Sequence, residues 1–417
     1  MSKEDGLMKT TRWLSSLAPI LLAAVPVLAV PVLAGASEGY QAAAYYFPGY
    51  HPNPQNDARL GKGWTEWDLM RAAGPRFPGH DQPKVPLWGY LDESRPEVFE
   101  KKIAAAADHG LTAWIFDWYW HETGPFLQRA LEQGFLKAQS RRRMQFALMW
   151  ANHDWIDIFP AKAGRPQKTI YPGPVGRAAF DRATDHVIAR YFSQPNYWKI
   201  DGKPYFSVYE LMTLVRGLGG VEPARQALDG FRRRACAAGL KGVHLNAVAW
   251  GVKPEGLAKD ANDLLDRLGF DSVTSYCWIH HSYPQEFPGP TYADWAGRAA
   301  AQWEGFRKQW NRPYHPNVSM GWDSSPRTTQ SDPFQPVGYP YTPVVRDNTP
   351  AEFKRALKKL KAVLDADPRG PKVFTINAWN EWTEGSYLEP DTVHRLGYLE
   401  ALRDVFGPGS RRGERLE

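Results

Sequence analysis

The feature that most constrains the fold is a regular alternation of short apolar segments and amphipathic segments from residue 40 onward. The short segments are rich in β-branched and aromatic residues, which is typical of strands. The predicted strands are 42–48, 112–120, 145–154, 204–210, 243–250, 272–278, 317–323 and 372–382. The intervening segments have the apolar spacing of amphipathic helices. The predicted helices are 95–110, 126–140, 177–192, 221–239, 258–269, 292–310, 349–368 and 394–406.

Strands that alternate with helices indicate a parallel sheet. Eight such units predict an α/β fold, a single (β/α)8 TIM barrel with long βα loops at its C-terminal face. An open doubly wound sheet is the alternative, but it usually has fewer repeats and a glycine-rich first turn. Here the first turn reads FPGYHPNPQND, and the chain has no GxGxxG, GxxxxGK(S/T) or GxSxG motif.

The N-terminus carries the pattern of an export signal. A basic start precedes an apolar run that ends in small residues, AGA, which fit a cleavage site. Residues 1–36 are predicted to be a signal peptide, so the protein would be secreted or periplasmic, with no stable membrane insertion after cleavage. An uncleaved anchor is the alternative, which the three prolines in the run disfavour. The catalytic domain is expected over 37–407 and a disordered tail over 408–417.

Composition narrows the range of partners. The formal charge of +6 is mild for 417 residues and the basic side chains are scattered, so a nucleic-acid interface is not expected. The chain has 18 Trp, 19 Tyr and 19 Phe, and flat rings with a polar edge suit stacking on sugars. A carbohydrate is therefore the expected partner of a protein expected to be a monomer.

The cysteines and histidines do not indicate a metal site. Cys236 and Cys277 form no CxxC motif, and either one disulfide or two independent buried thiols fits the sequence. His280 and His281 lack a matching His or Asp spacing elsewhere, which favours sugar contact or packing over metal binding. No metal and no cofactor are expected.

The expected site lies where the strands end, because barrel active sites form at the C-terminal face. Two long segments, 49–96 and 324–349, follow strands one and seven and are expected at this face. Rings for stacking and acceptors for hydroxyls cluster at the strand ends, as a saccharide requires. The candidate substrate-binding residues are Tyr45, Tyr46, Trp64, Glu66, Asp117, Trp118, Trp120, Trp150, Asn152, Tyr209, Trp250, Tyr276, Asp323, Trp379, Asn380 and Trp382.

Cleavage of a glycosidic bond needs two carboxyl groups, and the end of strand eight offers the best pair, Glu381 and Glu384. On a continuing strand the two would not face the same way, but a turn after the strand can aim both at one pocket. Glu389, next to a proline, is expected to be a surface carboxylate. Asp117 stands in an apolar run, so it is either functional or bound to a barrel partner. Glu66 is either a contact at the rim or a local cap.

Five motifs in order carry a family resemblance: AYYFPGYHPNPQND, GKGWTEWD, WANHDW, DGKPYF and NAWNEWTEGSYLEPD. Together, over about residues 42–404, they resemble the glycoside hydrolase family 99-like proteins, including the WbsX group encoded in polysaccharide biosynthesis clusters. The resemblance implies a (β/α)8 barrel without a metal. In the characterised branch it implies retaining, endo-acting cleavage of α-mannosides.

By this resemblance, Glu381 is the base toward the sugar 2-hydroxyl, which yields an anhydro-sugar intermediate, and Glu384 is the acid and then the base. The sequence thus predicts an exported glycoside hydrolase of polysaccharides or oligosaccharides, with an α-mannoside as one candidate substrate. The alternatives are a glycosyltransferase of polysaccharide biosynthesis and a carbohydrate-binding barrel without catalysis.

Overall fold

The structure is a computed structural model, and it describes residues 39–407. The predicted signal peptide, 1–36, and the predicted disordered tail, 408–417, lie outside these residues. Within 39–407, none of the helices has the length and apolar character needed to cross a membrane.

Eight parallel strands form the barrel, and each falls where a strand was predicted. Neighbours in the sheet follow chain order from β1 to β7, and β1 also pairs with β8. The strands are β1 (Gln41–Tyr46), β2 (Ala113–His121), β3 (Gln145–Trp150), β4 (Lys203–Val208), β5 (His244–Val248), β6 (Ser272–Thr274), β7 (Tyr314–His315 and Asn317–Ser319) and β8 (Val373–Asn377).

The barrel closes through β7, whose two segments flank Pro316. Tyr314 is in register with Val273 of β6, and Val318 is in register with Ile376 of β8. Pro316 has no N–H to donate, but its carbonyl still accepts a 2.9 Å hydrogen bond from the N–H of Thr375. One strand therefore joins both neighbours, and the predicted TIM barrel is confirmed.

The helices surround the barrel and supply most of its outer layer. Thr349 shows how the sequence starts one of them: its side chain accepts from the N–H of Glu352, and Pro350 occupies the first turn. The helices are α1 (Pro54–Leu60), α2 (Trp67–Ala72), α3 (Pro96–Asp108), α4 (Arg177–Val187), α5 (Leu211–Gly217), α6 (Val221–Ala237), α7 (Ala261–Leu268), α8 (Tyr292–Ala300), α9 (Trp303–Gln309), α10 (Pro350–Asp365) and α11 (Gly397–Phe406).

Three predicted helices differ from the structure, and in one of them, 177–192, the last turn, Ile188–Phe192, is π-helical. Residues 126–140 do not form a regular α-helix, because a π-helical turn, Ala130–Gly134, is followed by 3-10 turns. A Cβ at Gly134 would lie 2.3 Å from the carbonyl oxygen of Glu93 and 2.5 Å from the ring of Phe99. The chain is thus pressed closely against α3 and the segment before it. The predicted helix 292–310 is divided into α8 and α9.

The cysteines are unpaired within the described part of the chain. Cys277 is buried after β6, whereas Cys236 is exposed on α6. Of the two possibilities left open by the sequence, independent thiols are correct, but only one of them is buried.

Candidate active site

A cavity of about 770 Å³ opens at the C-terminal end of the barrel. The long segments predicted to reach this face do so: loop 1 (49–96) contributes Glu66 and loop 7 (324–349) contributes Arg327 and Tyr339. Seven predicted site residues line the cavity, namely Glu66, Asp117, Tyr209, Trp250, Tyr276, Glu381 and Glu384. Their contact with a substrate remains a prediction.

The predicted catalytic pair sits on a tight turn beyond β8. Asn380–Glu381 pairs antiparallel with Ser386–Tyr387, and one 3-10 turn joins the two segments. Gly385 completes the turn at a φ of 62°, and a Cβ there would lie 2.7 Å from the Cβ of Asp323. Glycine is required by both the conformation and the space. The turn directs Glu381 and Glu384 into the same cavity.

A buried guanidinium holds the acidic residues together. Arg327 lies 2.8 Å from Oε1 of Glu384, 3.5 Å from Oε2 of Glu381 and 3.5 Å from Oε2 of Glu66. Its own exposure is 7 %. Carboxylates so close together in a desolvated site repel one another, and the shared cation offsets that repulsion. The sequence predictions did not include Arg327; its place after strand seven was the only available signal.

The hydroxyl groups of Tyr339 and Thr383 donate hydrogen bonds to two of these carboxylates. Tyr339 donates to Oε1 of Glu384 at 2.8 Å and also contacts Arg327. Thr383 donates to Oε2 of Glu66 at 2.7 Å. Glu66 occupies the N-cap position of α2, but its side chain makes no capping hydrogen bond there. It is buried and lines the cavity instead. Tyr339 was also missed by the sequence predictions, since nothing distinguishes it within loop 7.

Burial raises the pKa of three carboxyl groups in the cavity, those of Glu381, Asp117 and Glu66. It raises the pKa of Glu381 well above the usual carboxyl value, and the charge of Glu384 adds to this while Arg327 opposes it. Burial also raises the pKa of Asp117 well above its usual value. The pKa of Glu66 rises for the same reason, against the opposing effects of Arg327 and Thr383. Glu381, Asp117 and Glu66 therefore bind a proton more tightly than exposed carboxyl groups do.

Replacing Glu381 with glutamine should stabilise the protein at neutral pH. The pKa of Glu381 in the folded state lies above its unfolded value, so the stability it contributes is complete below the unfolded pKa and is lost as pH rises through the folded pKa. Glutamine avoids that loss. We expect a melting temperature higher by roughly 2–4 °C near about pH 7, with little difference near about pH 4.

Thermal denaturation at the two pH values measures this effect. The matched control is Glu400→Gln, the same change on an exposed position of α11, which should leave the melting temperature unchanged at both. A Glu381→Gln protein that melts below the wild type at neutral pH would contradict the expected ionisation cost.

The rings of Tyr209, Trp250 and His280, called the aromatic wall below, also line the cavity. His280 lies with its ring centroid 4.5 Å from that of Trp250, and its Nε2 is 3.2 Å from the hydroxyl of Tyr209. Burial lowers the pKa of His280 to about 3, so its ring is neutral. His281 lies behind this wall against Phe306. The part of the chain that the structure describes contains no cluster of three metal-ligating side chains.

Several predicted residues face away from the cavity because strand side chains alternate between two sides. On β2, Asp117 and Tyr119 line the cavity, whereas Trp118 and Trp120 stack on each other behind the strand. Tyr46 and Trp150 pack outward, against Phe99 of α3 and Phe180 of α4. Tyr45 points into the barrel and packs against Tyr276 without lining the cavity. Trp64 is half-buried and packs edge-on against Phe159 outside the cavity.

Three predicted polar contacts are used inside the protein instead. Asn152 exchanges two 2.8 Å hydrogen bonds with the backbone of Glu210. Asn380 exchanges two 2.8 Å bonds with the backbone of Phe47. Asp323 accepts from Gln82 at 2.6 Å and lies 2.9 Å from Nε2 of His80. These side chains hold loops in place and do not line the cavity.

Glu389 is not a surface carboxylate, which corrects the expectation from the sequence. It is 4 % exposed and accepts from the indoles of Trp379 at 2.9 Å and Trp382 at 2.7 Å. Lys102 lies 2.6 Å away and also pairs with Glu93. The indoles of Trp379 and Trp382 therefore anchor the turn that carries Glu381 and Glu384 to Glu389 and its ion network. The sequence offered no signal for the pairing.

Solved structures share this fold. The GH99 endo-alpha-mannosidase from Bacteroides thetaiotaomicron superposes with a TM-score of 0.52 at 14% identity, over 87% of this chain and 95% of that one. A glycoside hydrolase-like protein superposes with a TM-score of 0.55 at 13% identity, over 90% and 96%. At such identities the likeness concerns the barrel fold alone.

The fold and the site define a (β/α)8 barrel protein with an acidic cavity at the C-terminal face of the barrel. The model of the family described as glycosyltransferase WbsX matches residues 42–402, and the chain belongs to that family. Proteins called WxcX from two strains of Xanthomonas campestris pv. campestris are 29% identical over 376 residues, which is 87% of this chain. The chain spans about half the length, 49%, of these relatives.

Proposed function

We propose that the protein is a retaining glycoside hydrolase that cleaves a polysaccharide or oligosaccharide, with an α-mannoside as the first candidate. The observation that carries this proposal is the placement of Glu381 and Glu384 in one cavity around the shared guanidinium of Arg327. Two carboxyl groups at the mouth of a barrel are what glycosidic cleavage requires.

The two glutamates have different surroundings, which suits different roles. Oε2 of Glu381 lies 3.5 Å from Arg327 but accepts no hydrogen bond from residues 39–407, so it keeps a lone pair that can take the proton of a sugar hydroxyl. As that hydroxyl oxygen attacks the anomeric carbon, Glu384 protonates the departing oxygen. Water then opens the anhydro-sugar: Glu384 takes the proton of the water, and Glu381 returns its proton to the sugar oxygen.

The charge of the cavity favours a neutral glycan over a nucleotide sugar. Among the described residues that line it, six carry carboxyl groups and two carry guanidinium groups. They are Glu66, Asp117, Asp154, Glu210, Glu381 and Glu384, and Arg216 and Arg327. A diphosphate needs free cations or N–H groups to offset its charge, and Arg327 is already paired with three carboxylates.

A glycosyltransferase is the second candidate, and the description of the family supports it. In that case the same cavity would bind an activated sugar donor and a sugar acceptor. The two functions differ in what they consume: a hydrolase consumes water and a glycan, and a transferase consumes the donor.

Incubation of the purified protein with a panel of neutral polysaccharides, α-mannans included, tests the proposal. We expect new reducing ends, with the first-formed product keeping the anomeric configuration of the cleaved bond in a proton NMR time course. A parallel incubation with sugar nucleotides and glycan acceptors is the comparison. Release of nucleoside diphosphate without any new reducing end would show that the protein is a transferase and not a hydrolase. Glycan binding without either product would indicate a binding protein.

A further inference from the structure

The hydroxyl group of Tyr276 stands between two buried carboxyl groups. Its oxygen is 3.0 Å from Oδ2 of Asp117 and 3.1 Å from Oε1 of Glu381. Asp117 and Glu381 are 3 % and 4 % exposed. Both residues also line the cavity. The three groups therefore form one continuous chain from the middle of β2 to the turn that carries Glu381 and Glu384.

For both contacts to be hydrogen bonds, this chain must carry one proton more than the tyrosine supplies. A phenol has a single O–H and can donate to only one of its two neighbours. The other contact is a hydrogen bond only if that carboxyl group is itself protonated and donates to the phenol oxygen. Two arrangements satisfy both contacts: the extra proton lies either on Asp117 or on Glu381.

The surroundings hold the phenol in place between the two carboxyl groups. The ring of Tyr276 packs against Tyr45 at 4.6 Å and edge-on against Tyr209 at 5.3 Å between centroids. Within the described residues, Oδ1 of Asp117 and Oε2 of Glu381 have no hydrogen-bond partner. Each carboxyl group thus has one oxygen on the phenol and one oxygen without a hydrogen bond, and Oε2 of Glu381 lies 3.5 Å from the guanidinium of Arg327.

We propose that Asp117 and Tyr276 form a proton-transfer chain that sets the protonation state of Glu381. In the resting site the extra proton is on Glu381, which donates to Tyr276, and Tyr276 donates to ionised Asp117. When a sugar hydroxyl arrives, the proton of Glu381 passes to the phenol oxygen and the phenol proton passes to Asp117. The total charge does not change, and Glu381 becomes an ionised base. This inference rests on the proposed role of Glu381 in hydrolysis.

The chain explains how a buried glutamate can act as a base. Burial raises the pKa of Glu381 and of Asp117, so a proton on Glu381 would otherwise block the role of base. The other titratable and charged groups around the chain are Glu66, Glu384, Arg327, Tyr119, Tyr45, Tyr50, Tyr209, Cys277 and His280. Glu384 acts on both carboxyl groups, whereas within residues 39–407 Tyr276 is the residue that hydrogen-bonds to both of them.

Two variants should shift the titration of Glu381 in opposite directions. In Asp117→Asn the amide can donate to the phenol oxygen, so Tyr276 donates permanently to Glu381 and its ionised form is favoured. In Tyr276→Phe both carboxyl groups lose the phenol, and the ionised form of Glu381 is disfavoured. We expect the titration midpoint to fall by about one pH unit in the first variant and to rise by about one in the second.

The test is a pH titration of the full chain with carboxyl carbons of Asp and Glu labelled with ¹³C, followed by NMR. The Glu381 resonance is assigned by its loss in Glu381→Gln, and circular dichroism confirms the fold of each variant. If the two midpoints move in the same direction, or do not move, the proposed proton-transfer chain is wrong. Because the readout needs no substrate, it remains decisive even if no hydrolysis is found. If hydrolysis is found, the acidic limb of kcat/KM should move with the NMR midpoints.

Discussion

Glutamine at position 381 or 384 should lower the turnover of a cleaved glycan by at least about a thousand-fold, while glycan affinity stays within about ten-fold. Glutamine keeps the shape of the side chain and can still bond to Arg327 or Tyr339. It cannot accept a proton from a hydroxyl or deliver one to a departing oxygen. The loss should therefore appear in kcat, measured by reducing-end release, and not in the dissociation constant measured by calorimetry.

The control for this experiment is Glu400→Gln, which makes the same chemical change on the exposed face of α11. Its turnover should match the wild type. If both Glu381→Gln and Glu384→Gln keep a turnover close to the wild type, the two glutamates do not take part in cleavage. The cavity would then be a binding site.

Replacing Lys102 with methionine should lower the free energy of unfolding by about 3–5 kcal/mol. Burial alone would lower the pKa of Lys102, but the charges of Glu389 and Glu93 raise it, so the ammonium stays protonated. Its Nζ also donates to Tyr46 at 3.0 Å. Methionine fills the same space but leaves two buried carboxyl groups without a cation. Urea denaturation measures the change.

Lys359→Met on the exposed face of α10 is the matched control and should change the free energy of unfolding by less than about 0.5 kcal/mol. Adding Glu389→Gln to Lys102→Met should restore part of the lost stability, since one unpaired charge is removed. A Lys102→Met protein as stable as the control would mean that the network contributes little to folding.

The architecture and the placement of Glu381 and Glu384 in one cavity could be predicted because both depend on local patterns. Eight apolar runs at regular spacing suffice to indicate a barrel, and the strand order brings their ends together. The NEWTEG segment places Glu381 and Glu384 just beyond the last of these runs. A turn was expected there to aim both carboxyl groups at one pocket, and the glycine at 385 makes that turn possible.

The errors have two physical origins. Neighbouring residues at a strand end face opposite sides, so treating Trp118 and Asp117 as members of one surface could not be right for both. Long-range pairing is the second origin. Arg327 and Lys102 each meet carboxylates that are distant in the chain, and no spacing or periodicity in the sequence encodes those meetings.

Loops 1 and 7 are joined by direct contacts and form one structural unit. Arg76 of loop 1 donates to the carbonyl of Asp332 in loop 7 at 2.6 Å, and Gly74 donates to Gln330 at 3.1 Å. Glu66 from the first loop also needs Arg327 from the second. A chimera that exchanged only one of these loops would separate the guanidinium from one of its carboxylates. Grafting this site onto another barrel therefore calls for transplanting both loops together.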